Sequence, residues 1–202
     1  MKLYVSPLPP LRSGESRVSN ERNATLALLR EIFGNDVQYS HKPSGAPLIT
    51  SAGKEYLVSI SHSASTVAIA VADGEDAIGV DVETYRTQLE RVQSKYLSEA
   101  EMEIFTSAID KLKAWTAKEA VYKAVLTPGL SLTEIDCTRM ADGIVTAGSR
   151  TYSIVFPAST LSETIAIATR KPKWSGGRGP PPPPQDGNFL SLLSLRRGSA
   201  TP

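Results

Sequence analysis

Residues 78–83 have the sequence Ile-Gly-Val-Asp-Val-Glu, and this stretch gives the strongest indication of the fold. Its apolar residues alternate with small or acidic ones, and a period of two predicts a strand with two different faces. On such a strand, Asp81 and Glu83 share one face, while Val80 and Val82 share the other. Two neighbouring carboxylates repel each other unless a cation or a base joins them, and their oxygens suit Mg²⁺. The other interpretation is an edge strand with a solvated acidic face.

A second stretch, residues 115–124 with the sequence WTAKEAVYKA, lies within a helix predicted over residues 108–126. Trp115, Glu119 and Lys123 are spaced four apart, so they line one face of that helix. A surface ion pair between Glu119 and Lys123, which is common on any helix, is the alternative interpretation. A tryptophan in the same row argues against a face that is only solvated.

Upstream, Ser61-His62-Ser63 ends a strand predicted over residues 56–61. Hydroxyl and imidazole groups can hold a phosphate by donating hydrogen bonds. A serine nucleophile with His62 as its base is a second option, but neighbouring strand residues point apart and no nucleophile-elbow sequence is present. A turn histidine bonded to the backbone is the third. Residues 42–47, KPSGAP, form a loop that either lines a ligand site or merely connects two elements.

The remaining periodicity predicts both helices and strands. Further helices are expected at residues 20–33 and 98–105, and further strands at residues 2–5, 66–72, 77–82, 131–138, 152–156 and 164–169. This order predicts an α+β fold of two similar α/β half-domains, residues 1–84 and 85–170. The second half-domain carries the helix with Glu119. The Pro- and Gly-rich residues 171–202 predict a disordered tail.

Composition excludes several function classes. With 22 Lys and Arg against 21 Asp and Glu, the formal net charge is +1, which argues against a nucleic-acid binder with a broad basic surface. The sequence contains no run of about 18 apolar residues, so no membrane span is predicted. Cys137 is the only cysteine, so an intrachain disulfide and a cysteine-rich zinc site are excluded. The lone cysteine and the lack of a secretory leader favour the cytoplasm.

Together, these motifs resemble those of the 4′-phosphopantetheinyl transferase family. Residues 79–83, GVDVE, are similar to its G-[VI]-D-[VI]-E motif, and residues 115–123, WTAKEAVYK, to its W-x-x-K-E-A-x-x-K motif. Residues 61–63 match its serine–histidine–serine element, and the resemblance covers about residues 40–170. Because eighty residues precede Asp81, the chain looks like the surfactin-synthetase-activating type. That type implies a monomer whose two halves are related by a pseudo-twofold axis, with one site between them.

The resemblance implies an enzyme that transfers the 4′-phosphopantetheine arm of coenzyme A to a serine of an apo acyl or peptidyl carrier protein. Adenosine 3′,5′-bisphosphate is the other product. The implied metal is Mg²⁺, or Mn²⁺ in its place, and its implied ligands are Asp81, Glu83 and Glu119. The implied catalytic residues are Glu119, which accepts the serine proton directly or through a water, Lys123, which steadies the pyrophosphate charge, and Asp81.

The resemblance also implies a set of coenzyme-binding residues: Ser61, His62, Lys42, Lys118 and Lys123. The family's loop usually reads Gly-Lys-Pro, whereas this chain has Ala46 at the lysine position, and Lys42 is the candidate substitute. The alternative function is a coenzyme A or carrier-protein binding module that has lost turnover. A metal-dependent phosphoester hydrolase that uses the same carboxylates is a third hypothesis.

Overall fold

The structure, a computed structural model, describes residues 1–170 and has both helices and strands, which confirms the expected mixed α/β chain. The strands are β1 (Lys2–Pro7), β2 (Gln38–His41), β3 (Pro47–Ser51), β4 (Lys54–Tyr56), β5 (Val58–His62), β6 (Thr66–Val71), β7 (Ala77–Glu83), β8 (Ile135–Asp136), β9 (Ile144–Ala147), β10 (Arg150–Ser159) and β11 (Thr164–Arg170). The helices are α1 (Arg17–Phe33), α2 (Gln88–Arg91), α3 (Glu99–Ile104) and α4 (Ala108–Val125). The expected tail at residues 171–202 lies outside the described residues.

The described strands pair in three antiparallel sheets. One has the order β1-β6-β5, the second β7-β11-β10-β9-β8, and the third is the small β2-β3-β4 sheet. Helix α1 packs on the first sheet through Leu28 and Leu29, and α4 lies against β7 and β11 of the second. Each of the two larger sheets is therefore covered by one long helix.

Strand β7 lies at the centre of the molecule, although it is an edge strand of its own sheet. Val80 and Val82 are fully buried in a core shared with Leu3 and Ile167. The opposite face of β7 meets α4. The predicted two-faced strand is thus present, but its burial rules out the solvated acidic edge that was the alternative interpretation.

Helix α4 approaches β7 unusually closely because residue 79 is a glycine. A Cβ built on Gly79 would lie 1.8 Å from the carbonyl oxygen of Ala120 and 2.9 Å from the amide nitrogen of Ala124. The helix begins at its N-cap Ser107, whose side chain accepts from the Asp110 amide, and it ends at Leu126 in the left-handed conformation. The glycine therefore sets how near the acidic strand lies to the helix.

Some predicted elements are corrected. Helix α1 begins at Arg17 rather than residue 20, because Ser16 caps it. The strand expected at residues 131–138 is instead a 3₁₀ turn closed by a Ser131–Glu134 capping box, followed by the two-residue β8. The β2-β3-β4 sheet was not predicted beyond its first loop. The capping box predicted by Ser98 and Glu101 is present at the start of α3.

The division into half-domains at residue 84 and the pseudo-twofold relation between them remain predictions. Residues 1–84 contain the β1-β6-β5 sheet with α1 against it, and also β7, which pairs with β11 in the sheet that α4 covers. Among residues 1–170, no helix has both the length and the apolar character needed to cross a membrane.

Candidate active site

The two larger sheets contact each other at β5 and β7, and serine side chains connect these two strands. Ser59 and Ser61 are alternate residues of β5, so their hydroxyls point the same way. The Val80 amide donates to Ser59 Oγ at 2.9 Å, and the Val82 amide donates to Ser61 Oγ at 3.3 Å. These bonds satisfy amides that an edge strand would otherwise leave unpaired. They also bring the Ser61-His62 element beside the acidic strand.

Three predicted site residues are in direct contact at this joint. Ser61 donates its hydroxyl hydrogen to Asp81 Oδ1 at 2.8 Å. Lys123 donates to the same Asp81 oxygen at 2.7 Å, to Ser61 Oγ at 2.9 Å and to the Val80 carbonyl at 3.2 Å. Asp81 is 5% exposed, so this pair has little solvent screening. The other oxygen of the same carboxylate, Oδ2, is buried and has no hydrogen-bond partner among the described residues.

Glu83 is held by groups from two different elements. Trp115 Nε1 donates to its Oε1 at 3.1 Å, and Arg86 donates to its Oε2 at 3.0 Å. The Trp115 ring is in turn packed edge-on against Tyr96, with 5.1 Å between ring centroids. Burial and the nearby Asp81 raise the pKa of Glu83, while the Trp115 hydrogen bond and the two nearby cations lower it less.

Glu119 differs from the other carboxylates because its side chain makes no hydrogen bond to the described residues. Burial is the main cause that raises its pKa, and repulsion from Asp81 adds to it. Glu83 raises this pKa further, and Lys123 opposes the rise. The groups of β7 and α4 therefore form one electrostatic cluster in which negative charge exceeds positive charge.

This cluster contains all three predicted metal ligands, Asp81, Glu83 and Glu119. Among residues 1–170, no three His, Cys, Asp or Glu side chains converge closely enough to hold a metal ion as they stand. The chemistry of the donors nevertheless fits a hard divalent cation, since carboxylate oxygens are what Mg²⁺ prefers. The unpartnered Asp81 Oδ2 and the raised pKa values of Glu83 and Glu119 both indicate charge that a cation would relieve.

A cavity of about 720 Å³ opens beside the cluster. Lys42, His62 and Lys123 line it, together with Tyr122 and the buried Ala46. The cavity thus carries cationic side chains at three points of its wall when His62 is protonated. Lys42 is exposed and pairs with Glu55, so it lies at the rim. A site of this charge fits an anionic ligand with several phosphates.

The structure places Lys118 away from this site, and the prediction that it binds coenzyme is corrected. Its side chain is fully buried, and its ammonium donates to Glu101 at 2.7 Å and to the carbonyls of Leu132 and Ile135 at 3.0 and 2.5 Å. The Lys118 side chain thus points toward α3 and β8, although Tyr122, one turn later, lines the cavity. Lys118 therefore anchors α4 and has no access to the cavity.

Sequence reasoning missed two groups that hold site residues. Trp115 was singled out for its position in the helical row, but the hydrogen bond from its indole to Glu83 was not anticipated. Thr25, whose hydroxyl lies 2.7 Å from His62 Nε2, was not considered at all. The two residues lie 37 positions apart, and no local pattern links them.

Comparison with protein-family models gives a match to part of the chain. The family model described as the 4′-phosphopantetheinyl transferase superfamily, ACPS, matches residues 77–169. A domain of that superfamily is therefore present, and its span runs from the start of β7 into β11. It contains the three carboxylates and Lys123, while Ser61 and His62 lie outside it. No curated protein matches the chain. The domain supports a transferase of this kind, with coenzyme A and a carrier protein as its substrates in general.

Proposed function

We propose that the chain transfers 4′-phosphopantetheine from coenzyme A to a serine of an apo acyl or peptidyl carrier protein, with Mg²⁺ or Mn²⁺ and with release of adenosine 3′,5′-bisphosphate. One observation carries the proposal. Lys123, Asp81 and Ser61 form a hydrogen-bonded trio whose lysine lines the cavity of about 720 Å³, and two of the three lie in the matched superfamily domain. The trio joins the acidic cluster, where a cation fits, to the cationic wall, where phosphates fit.

In the proposed reaction, the carrier serine oxygen attacks the phosphorus that bears the pantetheine arm. The bond from that phosphorus to the bridging oxygen breaks, and its electron pair leaves with adenosine 3′,5′-bisphosphate. The serine proton passes to Glu119, directly or through one water. A carboxylate with a raised pKa is a stronger base than an ordinary glutamate, and this suits it to the task.

Lys123 is proposed to bind the pyrophosphate and to offset the charge that develops on the departing phosphate. Three acceptors already hold its ammonium at the cavity wall, and a pyrophosphate oxygen would replace one of them. Asp81, Glu83 and Glu119 would hold the divalent cation. When bound, the cation neutralises pyrophosphate charge and orients the phosphates. His62 and Ser61 are proposed to bind the coenzyme from the other sheet, with Lys42 at the rim.

The test is an intact-mass assay with the purified chain, coenzyme A, Mg²⁺ and several apo carrier proteins. We expect a mass gain of one phosphopantetheine on at least one carrier, abolished by a chelator. Glu119→Gln should remove transfer and keep coenzyme binding. Glu103→Gln, on the exposed side of α3, is the matched control and should keep both.

Two outcomes would replace the proposal. If the folded wild-type chain binds coenzyme A and transfers nothing to any carrier, it is a binding module. Ala46 at the cavity wall, where the family has a lysine, would then be the first residue to examine. Release of adenosine 3′,5′-bisphosphate without any carrier would instead favour a phosphoester hydrolase.

We also propose the surfactin-synthetase-activating type, acting as a monomer in the cytoplasm, with the site between two half-domains. The support is that Ser61 and His62 come from one sheet, Asp81 and Glu83 from another and Glu119 from α4, all within one chain. Size-exclusion chromatography with light scattering tests the monomer. A stable trimer, as in the short holo-acyl-carrier-protein synthase type, would contradict it.

A further inference from the structure

Thr25 of α1 makes two hydrogen bonds with a single hydroxyl, and these fix the protonation of a neighbouring ring. The threonine is 1% exposed. Its Oγ1 lies 2.7 Å from the Glu21 carbonyl oxygen and 2.7 Å from His62 Nε2. A hydroxyl has one hydrogen to donate and lone pairs to accept with. A carbonyl oxygen only accepts, so the hydrogen goes to Glu21, and His62 must donate its Nε2 hydrogen to Thr25.

The second ring nitrogen of His62, Nδ1, is therefore unprotonated. A neutral imidazole carries one hydrogen, and here it is on Nε2. Nδ1 of His62 has no hydrogen-bond partner among the described residues, and the ring lines the cavity. The oxygens of a phosphate dianion also have only lone pairs to offer, so they cannot hydrogen-bond to an unprotonated Nδ1.

We propose that Thr25 is a positioning residue that holds neutral His62 in the Nε2-protonated tautomer, and that a phosphate monoester is bound at Nδ1 only after this nitrogen takes up one proton from solvent. Nε2 keeps its bond to Thr25 throughout. The claim about the tautomer stands independently of function. The claim about the phosphate rests on the proposed function.

Charges from two elements face His62. Glu21 and Arg17 lie on α1, and Lys123 lies on α4. Burial lowers the pKa of His62 most, Lys123 and Arg17 lower it further, and Glu21 opposes them. These effects favour the neutral ring at neutral pH. A phosphate dianion beside the ring favours the cation, so binding and proton uptake are coupled.

The first experiment reads the tautomer directly in the whole chain labelled with ¹⁵N-histidine. Long-range ¹H–¹⁵N correlation spectra at a pH well above the ordinary histidine pKa identify which nitrogen carries the hydrogen. The chain has two histidines, so in His41→Gln the only histidine signals are those of His62. We expect the Nε2-protonated pattern in the wild type. The Nδ1-protonated pattern would mean that Thr25 donates to the ring, and it would overturn the inference.

Variants separate positioning from packing. Thr25→Val keeps the shape and removes the acceptor, so we expect a mixture of His62 tautomers, and Thr25→Ser should restore the single tautomer. Thr116→Val is the matched control, because Thr116 is also buried and donates to a carbonyl one turn earlier, at 2.7 Å, without touching a histidine. It should leave the His62 spectrum unchanged. If Thr25→Val does not fold, the wild-type spectrum still decides the question.

The second experiment measures proton uptake when adenosine 3′,5′-bisphosphate binds, by calorimetry in buffers of different ionisation enthalpy. We expect uptake approaching one proton above neutral pH and an affinity that falls about tenfold per pH unit there. His62→Gln should bind more weakly and take up no proton at this site. Binding without uptake would overturn the claim about the phosphate alone. Absence of binding would overturn it together with the proposed function, while the tautomer result would still stand.

Discussion

The buried ion pair between Lys118 and Glu101 offers the sharpest test of how α4 is held. Both side chains are almost wholly excluded from water, at 0% and 1% exposure. Beyond the ammonium, Glu101 accepts from the Ser98 amide at 2.8 Å and the Cys137 amide at 2.7 Å. Lys118→Met keeps the length of the side chain and removes its charge. It leaves a carboxylate that is buried without its counter-ion.

The expected loss is large because the remaining charge cannot reach water. Removing one partner of a buried pair costs about 3–5 kcal/mol. For a chain of this size, that corresponds to a melting temperature lower by about 6–20 °C. An exposed pair gives the reference. Arg139 and Asp142 are 63% and 59% exposed, so Arg139→Met should cost no more than about 1 kcal/mol.

The assay is equilibrium unfolding in urea for a double-mutant cycle. Lys118→Met and Glu101→Gln each leave one buried partner uncompensated, whereas the double variant leaves no net charge. The side chain introduced by Glu101→Gln is uncharged, but its amide oxygen can still accept from one of the two backbone amides. We therefore expect the double variant to be more stable than the sum of the single losses predicts, by about 2 kcal/mol.

Two results would refute this reasoning. One is a Lys118→Met variant that is as stable as Arg139→Met. The other is strictly additive losses in the cycle, which would mean that the two charges do not depend on each other. Retained stability with lost transfer would instead support the original expectation that Lys118 acts on the coenzyme.

Further predictions concern the approach of the acidic strand to α4 and the charges that it brings there. Gly79→Ala places its Cβ 1.8 Å from the Ala120 carbonyl oxygen, so unfolding should show a loss of about 3 kcal/mol; Gly53→Ala, with open space but a left-handed backbone, should lose only about 1 kcal/mol, and equal losses would contradict the crowding argument. Glu119→Gln should lower the transfer rate by about 100-fold or more in single-turnover assays, and a smaller loss would exclude it as the base. The folded-state pKa of Glu119 is raised, so its contribution to stability is present below the ordinary value of 4.5 and is lost as pH rises through the folded pKa. As pH rises from 4.5 through the folded-state pKa of Glu119, the melting temperature of the metal-free wild type should therefore fall relative to that of Glu119→Gln. Melting temperatures that change in parallel for the two proteins would contradict this. The pKa of Glu83 is also raised, so protons should compete with Mg²⁺ for this carboxylate at pH values above 4.5. A titration with Mg²⁺ should therefore release protons.

The sequence predicts the acidic strand and the long helix almost to the residue, because their signals are local. Alternation over residues 78–83 places the carboxylates on one face, and helical spacing places Trp115, Glu119 and Lys123 in one row. Gly79 lies in the same stretch, but the reason for a glycine there is the carbonyl oxygen of Ala120, which belongs to a helix about forty residues later in the chain. Local pattern thus identifies the elements, and the distance between them is known only from the fold.

The wrong prediction for Lys118 has a specific physical cause. Helix α4 is buried on most of its circumference, so Lys118 packs inside the protein although it is the immediate neighbour of Glu119. Its partner, Glu101, is recognisable in the sequence as the N3 residue of a capping box. That role does not indicate that Glu101 also accepts a hydrogen bond from Lys118. The contact between Thr25 and His62 was also missed, since it joins two elements with no pattern in common.

The site and the joint between the sheets are built from the same hydrogen bonds. Ser61 accepts from the Val82 amide, which ties β5 to β7, and it donates to Asp81, which shapes the cluster. The matched superfamily domain begins at residue 77 and does not include Ser61. Without the first sheet, β7 would expose the amides of Val80 and Val82, and Lys123 would lose one of its three acceptors. The preceding residues are thus part of the site itself, because they complete the edge on which the acidic residues stand.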